Sequence, residues 1–175
     1  MALQFSRIRA TNWRNFKSFD VELQNRAFLV GANASGKSNF LDLLRFLRDL
    51  AAASGGGFQQ AVRSRGGVSA VRNVSARHPS TDVEIDVTVS DDGNDTWRYL
   101  LAFNQERSTP VLRHEAVWYQ EKQLIQRPDR ADHDDPARMH QTHLEQTFAN
   151  ADFRDLVNFF QSIQYSHLVP QLVRD

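Results

Sequence analysis

The sequence predicts an α/β fold arranged around one strand, one tight glycine turn and one helix. Three observations carry this expectation. A short apolar run, Phe28-Leu29-Val30, leads directly into Gly31-Ala32-Asn33-Ala34-Ser35-Gly36-Lys37-Ser38. In the stretch that follows, Phe40, Leu43, Leu44, Leu47 and Leu50 recur at the spacing of an amphipathic helix. Farther along, Val83, Ile85, Val87 and Val89 alternate with polar residues, the pattern of a half-buried strand.

The octet 31–38 has the spacing G-x-x-x-x-G-K-S/T. Gly31 and Gly36 allow backbone angles that side chains resist, so the loop can turn several N–H groups toward one anion. A helix starting near Ser38 aims its electropositive end at the same point. Lys37 is placed to meet the outer phosphates of a nucleotide, and the Ser38 hydroxyl to complete a magnesium shell. Gly31, Ala34, Ser35, Gly36, Lys37 and Ser38 are thus candidate nucleotide-binding residues, with Ser38 on Mg2+. The ordinary alternative, a glycine-rich turn before a plain helix, does not account for the strand–loop–helix order.

The remaining elements follow along the chain. Residues 3–10 alternate as a strand with a slip between Phe5 and Ile8, and Asn12–Phe16 reads as a turn. Phe19–Leu23 is a second strand, Gln24-Asn25 a hairpin signal, and Ala27–Val30 the strand that feeds the loop. After the helix, Ala51–Gly57 reads as a flexible break, Phe58–Val62 as a short helical piece and Arg63–Gly67 as a turn. Val83–Val89, Thr96–Asn104, Leu112–Tyr119 and Gln123–Gln126 form an antiparallel meander, with a hairpin turn at Asp91–Asn94. Trp97, Tyr99 and Phe103 fit a sheet core better than a base-stacking platform. Residues 128–147 are polar and read as a loop or weak helix. Asn150 is placed to cap a helix with Phe153, Leu156, Val157 and Phe160 on one face. Residues 163–169 are apolar and stop at Pro170.

The chain's 175 residues suit one domain, divided as 1–50 (strands, loop and helix), 51–82 (a Gly/Arg-rich connection), 83–126 (the meander) and 127–175 (polar loop, helix and a link onward). Lys+Arg and Asp+Glu both total 21, so net charge argues neither for nor against a polyanionic partner. No cysteine is present, which excludes disulfides and thiolate metal sites. No apolar run approaches the roughly 20 residues that span a bilayer, and the N-terminus has no signal-peptide core, so a cytoplasmic protein without a membrane partner is expected.

These features in this order resemble the N-terminal lobe of SMC/RecF-like ATPases of the ABC class, including related bacterial AAA-family proteins. Ile8–Phe16 is similar to the family's opening strand and Asn-Phe-Arg/Lys turn. Gly31-Ala-Asn33-Ala-Ser35-Gly36-Lys37-Ser38-Asn39 is similar to its G-x-N-G-S-G-K-S-N loop, and Arg65-Gly66-Gly67 before a meander matches its layout. The resemblance implies an ABC-type lobe with a mixed sheet around the P-loop helix, binding ATP and Mg2+. It adds Asn33, Asn39 and Arg14 to the nucleotide-binding residues. It also implies a magnesium-sensing glutamine among Gln161, Gln164 and Gln171, with Gln164 taken as the candidate metal residue. One departure stands out: Ala34 occupies a position where the family has glycine, and alanine takes positive φ only at a cost.

The family's later parts are expected to lie elsewhere. Val83–Asp92 ends in Asp-Asp but alternates, whereas a buried parallel strand would be continuously apolar. Leu100–Phe103 runs into Asn-Gln. Ser54–Gly57 imitates the serine-glycine-glycine signature but directly follows the P-loop helix and reads as a linker. The expectation is therefore the front half of a larger ATPase that acts with a second protomer or C-terminal lobe. DNA and an operon-encoded effector are further candidate partners, in repair, maintenance or anti-phage defence. The competing expectations are an inactive ATP-sensing module and a self-contained P-loop kinase or GTPase; the latter lacks a second acidic site and an Asn-Lys-x-Asp base reader.

Two further clusters have plainer readings. Arg63, Arg65, Arg72 and Arg77 form an acid-free segment that could face DNA, or be a solvated loop. His133, His140 and His143 lie near Asp132, Asp134 and Asp135, where a metal site competes with a solvated loop, the favoured reading.

Overall fold

The computed structural model describes residues 3–52, 54–73 and 81–166. Its centre is a six-stranded sheet in the order β2-β1-β3-β4-β5-β6, with every neighbouring pair antiparallel. The strands are β1 (Leu3–Trp13), β2 (Phe16–Glu22), β3 (Val83–Asp91), β4 (Asn94–Glu106), β5 (Thr109–Tyr119) and β6 (Lys122–Arg127). The slip read in the first strand is a β-bulge: the β1–β3 register shifts between Phe5 and Arg7. The β3–β4 hairpin turns at Asp92 and Gly93, both at positive φ, as a two-residue antiparallel turn requires.

The helices are α1 (Lys37–Ala51), α2 (Phe58–Arg63), α3 (Val68–Val71), α4 (Arg130–Asp134) and α5 (Arg154–Gln161). Helix α1 buries Phe40, Leu43, Phe46, Leu47 and Leu50, and α5 buries Leu156, Val157 and Phe160, in one core with Val83, Ile85, Val87, Tyr99 and Phe103 of the sheet. Fully burying each such side chain stabilises the fold by about 1.5–3 kcal/mol before ordering costs. The α/β class is as expected, and Trp97, Tyr99 and Phe103 are core residues.

Five expectations are corrected. Ala27–Val30 forms no strand, so the described sheet is wholly antiparallel rather than mixed; Phe28 and Val30 are 88% and 91% exposed. A strand needs a neighbour, and no described segment supplies one there. Of the flexible break expected over Ala51–Gly57, residues 54–57 form a packed turn instead. The Gly57 N–H donates to the Asp49 carbonyl at 2.8 Å, and a Cβ at Gly56 would lie 2.7 Å from that same oxygen. Asn150 does not cap with its side chain; its Nδ2 donates instead to the Leu144 carbonyl at 2.7 Å.

At residues 128–147, read as a loop or weak helix, short helical pieces form, but the solvated-loop reading of the histidine cluster does not hold for the segment. These residues fold into α4 and a 3-10 turn, Pro136–His140, and bury Asp132, Met139, His143 and Leu144. The polar composition hid this because the buried charges satisfy one another. Arg127 donates to Asp132 and Glu115 and to the carbonyls of Arg138 and Gln141, and Glu115 also accepts from the His143 N–H and the Tyr99 hydroxyl. Lastly, Arg65 does not face outward: it is buried on Asp42 and Asp49, over the Phe46 ring. Arg77, Pro170 and Gln171 lie outside the described residues.

Candidate nucleotide site

The turn Arg14-Asn15 between β1 and β2 sits on the loop 31–38. Gly36, at φ 103°, precedes α1, and a Cβ there would come within 2.6 Å of Phe16 Cζ and 2.7 Å of Asn15 Nδ2. Only glycine satisfies both the backbone angle and this contact. At Gly31 the demand is milder: a Cβ would meet Ser35 Oγ at 2.8 Å, a side-chain end that can rotate away. Ala34 adopts φ 65°, the left-handed conformation that the glycine-to-alanine departure makes costly.

Two further bonds clamp the same turn to the helix. Asn39 Nδ2 donates to Asn15 Oδ1 at 2.8 Å, and the buried Trp13 indole donates to the Asn39 carbonyl, also at 2.8 Å. Asn15, Asn33, Ala34, Gly36, Lys37, Ser38 and Asn39 line one cavity of about 370 Å³. Sequence reasoning did not single out Asn15 as a site residue. Its signal was its place in the Asn-Phe turn, and its partner Asn39 lies 24 positions away.

Among the described residues, no protein acceptor is bonded to the backbone N–H groups of Asn33, Ala34, Gly36, Lys37 or Ser38, and the exposed Ser38 hydroxyl is likewise unbonded. The Ser35 N–H alone turns inward, to the Ala32 carbonyl at 3.3 Å. Lys37 Nζ donates to the carbonyls of Gly31 and Ala32, both at 2.7 Å, so the ammonium closes the mouth of the loop on itself. The result is a set of N–H groups without protein acceptors on residues that line one cavity, beside one cation and at the positive end of a 15-residue helix. Such a donor set fits a polyphosphate, and a free hydroxyl at Ser38 fits a magnesium ligand.

Two candidates lie apart from this cavity. Arg14 is drawn along the helix: its guanidinium pairs with Asp42 at 2.9 Å and donates to the Ala70 carbonyl. Asp42 also receives Arg65, so the β1–β2 turn and the α2–α3 segment are tied to one carboxylate on α1. Gln164 is exposed on the segment after α5. Gln161 bonds the Ala51 carbonyl at 2.6 Å and thereby joins α5 to the end of α1. Among the described residues, no group of three or more His, Asp or Glu residues is placed to hold a metal ion.

Fold and loop together define a P-loop nucleotide-binding domain. A family described as "AAA domain, putative AbiEii toxin, Type IV TA system" matches residues 26–167, most of the chain, and the chain belongs to that family. This membership agrees with the resemblance to SMC/RecF-like ABC-class ATPases, and it implies a nucleotide-dependent, ATP-binding role. Endonuclease GajA of Bacillus cereus (strain VD045) is 45% identical over 47 residues, which is 27% of this chain and 8% of that protein. The structure of the recombination mediator protein RecF with ATP, in the RecFOR pathway, matches with a TM-score of 0.43 at 18% identity, covering 70% of this chain and 28% of that one. The chain therefore spans a minor part of either relative's length. No helix among the described residues is long and apolar enough to cross a membrane.

Proposed function

We propose that this chain is the ATP·Mg-binding lobe of an SMC/RecF-like ATPase that works by nucleotide-driven engagement of a second protomer or lobe. The observation that carries the reading is the set of unbonded N–H groups at Asn33, Ala34, Gly36, Lys37 and Ser38 around one cavity. In this reading those amides and Lys37 hold the phosphates, and Ser38 holds Mg2+. Asn15 and Asn39 keep the loop in shape beneath them. Bound nucleotide supplies a triphosphate whose hydrolysis releases the engaged state. Phosphoryl transfer needs charge neutralised from several sides, and this lobe offers one side only. A partner lobe or protomer would supply the others, and the exposed Phe28 and Val30, just ahead of the loop, offer it an apolar segment to pack against. The biological setting proposed is DNA repair, DNA maintenance or anti-phage defence. It is supported by a family description that names a toxin–antitoxin system and by a partial relative named as an endonuclease.

The test is a titration with fluorescent ATP in the presence and absence of Mg2+. Lys37→Ala removes one charge-assisted contact and is expected to weaken binding by about 10- to 100-fold, from roughly 1.5–3 kcal/mol. Ser38→Ala is expected to erase the magnesium dependence. Equal affinity in wild type and Lys37→Ala would overturn the nucleotide site. Brisk turnover by this chain alone would overturn the shared-site mechanism while leaving binding intact.

A further inference from the structure

We infer that the groove between α5 and the hairpin end of the sheet is a recognition site for an arginine side chain presented by a basic partner segment. The cavity there measures about 620 Å³, within the range of ligand sites. Its walls are aromatic. Trp97 and Tyr119 are register partners on β4 and β5, with ring centroids 4.6 Å apart and planes at 58°. Phe159 of α5 lines the groove and is held by Phe5 at 4.9 Å. Two carboxylates, Asp91 and Asp155, line it as well, and no lysine or arginine does. The Asp91 Oδ1 atom is buried and accepts no hydrogen bond among the described residues.

An unmet buried carboxylate oxygen calls for a donor, and the angled aromatic faces favour a cation with a flat body. Guanidinium meets both demands: it is planar, more weakly hydrated than ammonium, stacks on rings and forks onto carboxylates. A phosphate or nucleic-acid ligand is disfavoured by the same two aspartates. The groove includes Leu3, at the start of β1, whereas the Arg14-Asn15 turn that packs on Gly36 follows the other end of that strand. An 11-residue strand separates the two by roughly 30 Å, so the groove is no part of the nucleotide cavity.

The test uses the whole chain and a capped glycyl-arginyl-glycine peptide, with its neutral citrulline counterpart as control. Binding is followed by tryptophan fluorescence and by amide shifts in β4, β5 and α5. The arginine peptide is expected to bind about tenfold more tightly than the citrulline peptide, and Asp91→Asn and Asp155→Asn each to weaken it by about tenfold. Tyr119→Ala, at a partly exposed position that tolerates truncation, is expected to weaken it with the fold intact. Equal binding of the two peptides would overturn the proposal, as would undiminished binding in both aspartate variants. Free argininamide binding as tightly as the peptide would also overturn it, by assigning the groove to a small molecule rather than a partner segment.

Discussion

The indole N–H of Trp13 donates to the Asn39 carbonyl at 2.8 Å and joins the end of β1 to the first turn of the P-loop helix. Trp13 is fully buried and leans on Phe46 at 5.1 Å between ring centroids. Trp13→Phe keeps most of this apolar contact and deletes the donor. The expected cost is about 1–2 kcal/mol, read from the urea midpoint. Because the bond fixes the start of α1, amide hydrogen exchange in residues 33–40 is expected to speed up more than exchange in β4 and β5. A uniform change across the chain would show that Trp13 serves the core alone.

Ala34 holds φ 65° without the excuse of being glycine. Left-handed backbone costs an L-residue roughly 1–2 kcal/mol, and glycine gives back about 0.5–1 kcal/mol through its freer unfolded chain. Ala34→Gly is therefore expected to stabilise the protein by about 0.5–1 kcal/mol in a thermal or urea melt. If the loop's shape is already the binding shape, ATP affinity should not fall. A destabilised variant would mean that the methyl group makes a packing contact worth more than the strain.

These two sites show what the sequence could and could not disclose. The P-loop, the helix stripe Phe40–Leu50 and the meander were legible because each is local: spacing alone exposes it. The bulge near Phe5 was visible as a broken alternation. Strand pairing at 27–30 was not decidable, because extended conformation there depends on a neighbour that periodicity cannot name. Asn15 escaped notice because its meaning comes from Asn39 and Gly36, both distant in sequence. The polar run 128–147 misled for a related reason. Aspartate and arginine read as solvent-facing until their partners are known, and Arg127 meets Glu115 only as its register partner on the neighbouring strand. Arg65 repeats the lesson at Asp42 and Asp49.

Arg127 ties the segment after β6 to the sheet through buried ion pairs. Its side chain is 1% exposed, and Glu115 and Asp132, with which it pairs, are fully buried. Burial opposes its charge, but bonds and charges from Asp132 and Glu115 overcome this and raise its pKa. Burial likewise works against the Asp132 carboxylate, yet Arg127 leads the contacts that hold its pKa far below the usual range. Arg127→Met removes the cation, leaving buried Glu115 with only neutral donors and Asp132 with Arg138 as its remaining cation. A loss of about 3–5 kcal/mol is expected by urea unfolding, partly recovered when Glu115→Gln is added. No recovery in the double variant would mean that the carbonyls of Arg138 and Gln141 are what Arg127 chiefly serves.

Two neighbours in the same segment give stability an opposed pH dependence. Burial pushes the Glu145 carboxyl up from 4.5 to about 6, against the pull of the Phe58 and Thr142 N–H groups that it accepts. Burial, helped by the charge of Arg127, pulls the His143 imidazole down from 6.5 to about 4. Between pH 4.5 and 6 the folded chain keeps a proton on Glu145 that the unfolded chain has lost, so this group's contribution falls as pH rises. Between pH 4 and 6.5 the unfolded chain takes a proton that folded His143 refuses, so its contribution grows as pH rises. The two cancel in their shared window. Glu145→Gln removes only the first, and its stability relative to wild type is expected to climb between pH 4.5 and 6, by up to about 1.4 kcal/mol per pH unit for one full proton. His143→Gln is expected to tilt the other way over pH 4 to 6.5. Urea midpoints taken at half-unit steps of pH read both slopes, and parallel curves for the two variants and wild type would show that neither group titrates differently on folding.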